Sequence, residues 1–214
     1  MREVPRMGGG RENHPSVSCT GKESLALQRN DLLRKITILP STHDFIQGVT
    51  AMIRYHLMPK ADKAHWLPRM FDLYRENMDT IAPSGLPRED ARAQWFAAVS
   101  PALDKAPRNV LLCTDNGELL GYIQYYTRGE LLMIEEAQIS RSFQRTPLFL
   151  SLCRRLAEEL PEEIRVLEAY AEIPNLHSQH IMHKLGMTSV PEAGDSPFVH
   201  FRGSFPEIRK RFRN

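Results

Sequence analysis

The stretch NLHSQHIMHKLGM, Asn175–Met187, decides the fold prediction, because it has the features of a short capped helix that leads into a strand. Asn175 follows a proline and can accept hydrogen bonds from the free N–H groups of a first helical turn. Ile181 and Leu185 are four residues apart and therefore share one helix face. Gly186 stands where a helix often ends in a left-handed residue. We predict a helix up to Lys184 and a strand from Met187 to Val190.

The residues before this stretch have the pattern of strands. Asn116-Gly117 between two apolar runs is typical of a tight hairpin, and Gly129 marks a second turn. The predicted elements are the strands Asn109–Thr114, Leu119–Thr127, Leu131–Ile139 and Arg165–Ile173, the helix Thr146–Leu160, and a last strand Phe198–Gly203.

The first half of the chain has mostly helical periodicity. A short strand at Ile36–Leu39 precedes a helix over 45–57, whose apolar residues include Phe45, Val49, Met52 and Ile53. Two further helices are predicted at Leu67–Met78 and Arg88–Val99. Strands and helices in this order predict a mixed α+β fold, with a central, mostly antiparallel twisted sheet flanked by helices.

This order of elements, together with the stretch Asn175–Met187, resembles the GNAT N-acetyltransferase superfamily. The family usually has Asn, a small residue three positions later, a Tyr seven positions later and then Lys-Leu-Gly. This chain keeps Asn175, Ser178 and 184–186, and it has Met182 where the family has Tyr. The resemblance covers about Asn109–Gly203 and implies a domain that binds acetyl-CoA.

The family's pyrophosphate-binding motif lies between a strand and a helix, where glycines let backbone N–H groups approach the phosphates. The matching residues here are Ile139, Phe143 and Gln144, whereas Pro147 and Phe149 replace the two small residues. The resemblance implies cofactor-binding roles for Ala137, Gln138, Ile139, Arg141, Gln144, Arg145, Thr146, Asn175 and Ser178.

A purely structural interpretation of this junction is equally open. Thr146 can cap a helix that has Pro147 at its first position, because proline at that place loses no helical hydrogen bond.

Glu135 and Glu136 are the candidate catalytic residues. They lie in a strand whose other residues are largely apolar, where a carboxylate is costly unless it is paired or reaches solvent. A Glu on this strand deprotonates the attacking amine in the family, so the resemblance implies this role for one of them. Only one is expected to point along a given face. The alternative is a glutamate paired with Arg or Lys.

Two functions follow from the resemblance. The first is an acetyl-CoA-dependent N-acetyltransferase that acts on a small amine or a peptide amine by direct transfer. The alternative is a catalytically inactive GNAT-fold binding or regulatory module, which Pro147, Phe149 and Met182 favour because Met182 cannot donate a proton. Many members of the family are dimers, which leaves a homodimer open.

The composition limits which partners and which location we expect for the protein. A net charge of +2 does not indicate nucleic acid, and the basic run at 209–213 is interpreted as a solvated tail. The three cysteines have no metal-ligand spacing, so no metal is expected and a reducing compartment fits. Without an apolar stretch of about 20 residues, no membrane span is expected. We therefore expect a cytoplasmic protein.

Two parts of the chain differ in composition. Residues 1–30 are rich in Gly, Arg, Ser and Asn and have no hydrophobic period, which predicts a flexible leader. The remaining residues, 31–214, are predicted to form a single GNAT-like acyltransferase domain.

Overall fold

The computed structural model describes residues 52–105, 107–192 and 194–213, all within the unit His43–Asn214. The predicted leader and the predicted strand Ile36–Leu39 lie outside them. The strands are β1 (Ile53–Leu57), β2 (Asn109–Asp115), β3 (Glu118–Arg128), β4 (Leu131–Ile139), β5 (Val166–Glu172), β6 (Thr188–Val190) and β7 (Phe198–Ser204). The helices are α1 (Lys63–Met78), α2 (Arg88–Asp104), α3 (Leu148–Glu159), α4 (Leu176–Lys184) and α5 (Phe205–Arg213).

The strands form one sheet in the order β1-β2-β3-β4-β5-β7-β6. Only β4 and β5 are parallel among these pairs, and they pair solely over Leu131–Ile134 and Val166–Ala169. Beyond Ile134 and Ala169 the two strands are no longer paired, which opens a wedge between them. This mixed, mostly antiparallel sheet with flanking helices confirms the predicted fold class.

Each face of the sheet is covered by its own hydrophobic core. α1 and α2 cover one face, and the buried residues there include Met70, Phe71, Trp95, Leu112 and Tyr122. α3 and α5 cover the other face, with Ile123, Leu132, Leu152, Leu156, Phe201 and Phe205 among its buried residues. Burial of these side chains supplies the main driving force for assembling the sheet and the helices.

The helix predicted over 45–57 is wrong at its C-terminal end. Ile53–Leu57 is an edge strand, antiparallel to Leu111–Asp115 of β2. The apolar spacing of these residues also fits a helix, but β2 would otherwise leave its outer row of backbone groups unpaired, and pairing with β1 satisfies them. Residues 45–51 of the prediction lie outside the described part of the chain.

The basic C-terminal run is also not a solvated tail, because it belongs to helix α5. Phe205, Ile208 and Phe212 recur at helical spacing and are buried. Arg209 is buried as well, and its Nη2 donates to the carbonyl oxygens of Leu160 and Pro161, each at 3.0 Å. The prediction considered only the charges of the run and missed the buried apolar face of an amphipathic helix that packs beside α3.

Local turn signals are confirmed where backbone conformation alone decides them. Asn116 and Gly117 have φ values of 49° and 87°, as a two-residue hairpin between β2 and β3 requires. Gly186 has φ 87° directly after α4. In the part of the chain that the structure describes, no helix has the length and apolar character to cross a bilayer.

Candidate active site

A β-bulge in the pairing of β3 with β4 redirects the two candidate glutamates, which lie where β4 ceases to pair with β5. Gln124 of β3 pairs with Glu136, and the next residue, Tyr125, pairs with Ile134, so Glu135 is an extra residue on β4. A bulge bends the strand and changes the direction of its side chains. Glu136 contacts Tyr122 and Glu135 contacts Gln124, which lie two apart on one face of β3. The expectation that only one glutamate points along a given face therefore does not hold.

Glu135 is held in an ion pair. Arg108 Nε lies 2.9 Å from both carboxylate oxygens, and Arg108 Nη2 lies 2.6 Å from Oε1. Gln124 Nε2 donates to Oε2 at 3.1 Å. The hydrogen bond with Glu135 raises the pKa of Arg108. Such a bidentate, charge-assisted pair fixes the orientation of the carboxylate and leaves few of its acceptor sites free.

Glu136 has a different environment. The Tyr122 hydroxyl donates a hydrogen bond to its Oε1, and no basic side chain pairs with it among the described residues. Burial raises the pKa of Glu136 to about 7, although the Tyr122 hydroxyl and the nearby polar groups of Trp95 and Gln138 act in the opposite direction. The residue keeps part of its surface open. A carboxylate that titrates near neutral pH is suited to general base catalysis.

The predicted pyrophosphate loop lies at the start of α3. A 3-10 turn, Arg141–Phe143, follows β4, and Arg145 then adopts a left-handed conformation with φ 68°. Thr146 Oγ1 donates to the Phe143 carbonyl at 2.6 Å and accepts from the Leu148 N–H at 3.3 Å. The N-cap is Pro147, one residue later than the structural interpretation predicted, and Thr146 contributes a hydrogen bond to the Leu148 N–H from just before it.

Several donors remain free at the same helix start. The backbone N–H groups of Arg145, Phe149 and Leu150 donate to no acceptor in the residues that the structure describes. The exposed Arg145 guanidinium has no ion-pair partner within the same residues. Free N–H groups, the helix dipole and a cation together favour an anion. Phe149 packs against the hydrophobic core.

Arg141, Gln138 and Gln144 are engaged with α1. The Nη2 of Arg141 donates to the Glu76 carbonyl oxygen, and its Nε lies 3.8 Å from Glu76 Oε1. Asn77 donates to Gln138 Oε1 at 2.9 Å and to the Ile139 carbonyl at 3.0 Å, while Gln144 Nε2 donates to Asn77 Oδ1 at 2.9 Å. These side chains fasten the end of β4 to α1.

The strand edge and the helix α4 complete the wedge. Ala137 is exposed on the part of β4 that has no pairing with β5, so backbone groups there face the opening. Asn175 Oδ1 accepts from the Ser178 N–H at 3.1 Å, which confirms the predicted N-cap. Met182 packs against the hydrophobic core and offers no proton donor.

Residues of this site that were not predicted from the sequence include Tyr74, Asn77, Trp95 and Tyr122, and also Arg108 and Gln124, which contact Glu135. Tyr74 lies near Glu136 and Glu172, and its pKa is raised first by burial and then by these two carboxylates. Tyr74, Asn77 and Trp95 lie on α1 and α2, far in sequence from the glutamates, and Tyr122 lies on the preceding strand β3. The one usable signal was a polar side chain, Tyr122 or Gln124, at alternate positions of an apolar strand.

No protein-family model matches the chain, and no curated protein matches it by sequence. Solved structures do match its fold. An acetyltransferase from Thermus thermophilus is 20% identical, with a TM-score of 0.56 over 71% of this chain and 96% of that chain. A PaiA N-acetyltransferase from Thermoplasma acidophilum, in complex with coenzyme A, is 11% identical, with a TM-score of 0.55 over 71% and 98%. A GNAT-family acetyltransferase from Staphylococcus aureus is 7% identical, with a TM-score of 0.57 over 72% and 99%.

The chain therefore has the fold of the GNAT acetyltransferases. Glu136 lies near the beginning of the stretch 135–139, in which β4 is not paired with β5. Helix α3 begins after the end of that stretch.

Proposed function

We propose that this protein is an acetyl-CoA-dependent N-acetyltransferase that transfers the acetyl group directly to a small amine or a peptide amine. The observation that carries the proposal is the Glu136 carboxylate, which has a pKa of about 7 and lies where β4 parts from β5. The fold of known acetyltransferases, one of them in complex with coenzyme A, supports the same assignment.

The pyrophosphate of acetyl-CoA binds at the start of α3 in this proposal. The free N–H groups of Arg145, Phe149 and Leu150 provide the donors, and the Arg145 guanidinium provides the charge. These donors replace the glycines of the family motif, because Pro147 has no N–H to offer. Arg141, Gln144 and Thr146 shape this loop, and Asn175 and Ser178 form the facing end of α4.

The pantetheine arm lies along the unpaired edge of β4, beside Ala137–Ile139. Glu136 accepts a proton from the acceptor amine, whose nitrogen attacks the thioester carbonyl. The carbon–sulfur bond then breaks, and the thiolate of CoA leaves with the electron pair. A thiolate is a fair leaving group, so the reaction proceeds without a proton donor at Met182.

We place this activity in one cytoplasmic domain, residues 31–214, with the leader 1–30 outside it and with no metal. The thiols of Cys113 and Cys153 are free and buried, which suits a reducing compartment. A homodimer is compatible with the proposal.

The alternative function is a catalytically inactive GNAT-fold binding or regulatory module. Met182 favours it, because the side chain packs against the core where the family has a phenol. Only the first function requires both acetyl-CoA binding and the release of CoA in the presence of an amine.

Calorimetric titration with acetyl-CoA, followed by thiol release with a panel of amines, tests both functions. We expect binding that weakens about tenfold in Arg145→Ala, since a charge-assisted contact contributes about 1.4 kcal/mol or more. Arg155→Ala, at the other end of α3, is the matched control and should bind as the wild type does. Binding without turnover for any amine would support the module, and absence of binding would overturn the transferase assignment.

A further inference from the structure

The Tyr122 hydroxyl lies between two acceptors. It donates to Glu136 Oε1, and the carbonyl oxygen of Met70 on α1 is 3.4 Å away. Tyr122 is fully buried, and burial together with Glu136 raises its pKa well above 10. The phenol therefore keeps its proton at neutral pH.

A second donor approaches Glu136 from α2. The Trp95 ring is buried, and its Nε1 has no partner at hydrogen-bonding geometry in the described residues. It nevertheless lies close enough to Glu136 to lower the pKa of that carboxyl. An indole N–H can only donate, so it favours the carboxylate over the carboxylic acid.

Other polar side chains on the neighbouring elements also lie near Glu136. On β4, Gln138 lowers and Glu135 raises the pKa of Glu136. Arg108, just before β2, partly neutralises Glu135 through their ion pair. On α1, Tyr74 lies near both Glu136 and Glu172 of β5. Among these side chains, only that of Tyr122 has both a hydrogen bond to the Glu136 carboxylate and a second acceptor, the Met70 carbonyl oxygen, in the described residues.

We propose that Tyr122 is a positioning residue that stabilises both protonation states of Glu136, with Trp95 as a second donor that selects the carboxylate. When Glu136 is ionised, the Tyr122 hydroxyl donates to Oε1. When Glu136 holds a proton, that proton is donated to the Tyr122 oxygen, and the phenol turns to donate to the Met70 carbonyl. The number of protons is conserved at each step. The inference rests on the proposed role of Glu136 as the base.

The consequence is a base that can accept and release a proton without leaving a buried donor unsatisfied. An unpaired buried hydroxyl or carboxyl would oppose one of the two states. Removal of the Tyr122 hydroxyl therefore penalises the ionised state more than the neutral state, because hydrogen bonds to charged groups are the stronger ones.

Tyr122→Phe tests the inference, since it removes the hydroxyl and keeps the ring. The titration midpoint of Glu136 is measured by carbon-13 NMR on protein labelled at glutamate side chains, with Glu136→Gln identifying the resonance. We expect the midpoint to rise by about one pH unit in Tyr122→Phe and by less in Trp95→Phe. Tyr125→Phe, a buried phenol on the opposite face of the sheet, should leave it unchanged.

This measurement requires no turnover, so it separates the inference from the proposed function. In active protein the acidic limb of kcat/KM should move in the same direction, while acetyl-CoA affinity stays unchanged. An unchanged Glu136 midpoint in folded Tyr122→Phe would overturn the inference. Should that variant fail to fold, an unchanged midpoint in Trp95→Phe would overturn it instead.

Discussion

Arg108 binds both carboxylate oxygens of Glu135, at 2.6 to 2.9 Å, whereas the neighbouring Glu136 meets the hydroxyl of Tyr122 instead. Consecutive residues of one strand thus have opposite chemical roles. The guanidinium occupies the acceptor sites of Glu135. Burial makes Glu136 the carboxyl that can take up a proton near neutral pH.

Glu136→Gln should abolish most acetyl transfer. Loss of a general base typically lowers the rate by about 100- to 10,000-fold, and the amide preserves the shape of the side chain. Acetyl-CoA affinity, measured by calorimetry, should remain close to that of the wild type. If Glu136→Gln retained full kcat/KM with a responsive amine, Glu136 would not be the base.

Glu135→Gln should mainly affect stability. Arg108 would lose a charged partner that occupies two of its donors, and since the pair is partly exposed we expect a loss of about 0.2 to 1 kcal/mol in the free energy of unfolding. Urea denaturation measures the loss. Arg108→Gln should destabilise the protein to a similar degree, and the double variant should cost less than the sum of the two single ones. An additive double variant would contradict a direct coupling.

The pH dependence of stability should report the raised pKa of Glu136. Its pKa is about 7 in the folded protein, above the ordinary glutamate value of 4.5, so the folded state holds this proton more tightly. The resulting stabilisation is fully present below pH 4.5 and is lost as pH rises through 7. The free energy of unfolding of Glu136→Gln, minus that of the wild type, should therefore grow between pH 5 and pH 8 by up to about 3 kcal/mol. If urea denaturation showed that this difference in the free energy of unfolding stays constant between pH 5 and pH 8, the pKa of Glu136 would be an ordinary one.

Arg145→Gly should separate backbone strain from ligand affinity. With φ 68°, Arg145 occupies a conformation that costs a non-glycine residue roughly 1 kcal/mol. Glycine removes this strain, so stability should stay equal or rise slightly despite the greater entropy of the unfolded chain. Acetyl-CoA affinity should fall as it does in Arg145→Ala, which keeps the strain. Wild-type affinity in both variants would exclude Arg145 from the cofactor site.

Gly121→Ala should destabilise the end of β4. A methyl group there would lie 2.5 Å from Ile139 Cδ1 and 2.8 Å from the Gln138 carbonyl oxygen. The backbone oxygen cannot yield without moving β4, so we expect a loss of about 1 to 3 kcal/mol by thermal or urea denaturation. Gly203→Ala is the comparison, because its nearest contact is at 3.0 Å to a methionine side chain. Equal losses of stability in Gly121→Ala and Gly203→Ala would contradict the role of the Gln138 carbonyl oxygen as the obstacle.

The sequence alone determined the elements that depend on local chemistry. The hairpin at Asn116-Gly117 was predictable because two consecutive positive φ values require residues of this kind. The N-cap at Asn175 was predictable because its side chain needs only the N–H three residues later. From such signals the order of strands and helices from Asn109 to Gly203, and with it the fold class, could be deduced.

Only the tertiary structure decided the features that depend on distant partners. Ile53–Leu57 is a strand because β2 offers an unpaired edge, and α5 is a helix because the faces of α3 and the sheet accept its apolar side. Likewise, the bulge at Glu135 and the contacts of Arg108 and Tyr122 distinguish the two glutamates. Periodicity records which residues are apolar, but the free energy of a buried carboxylate depends on the groups that folding brings beside it.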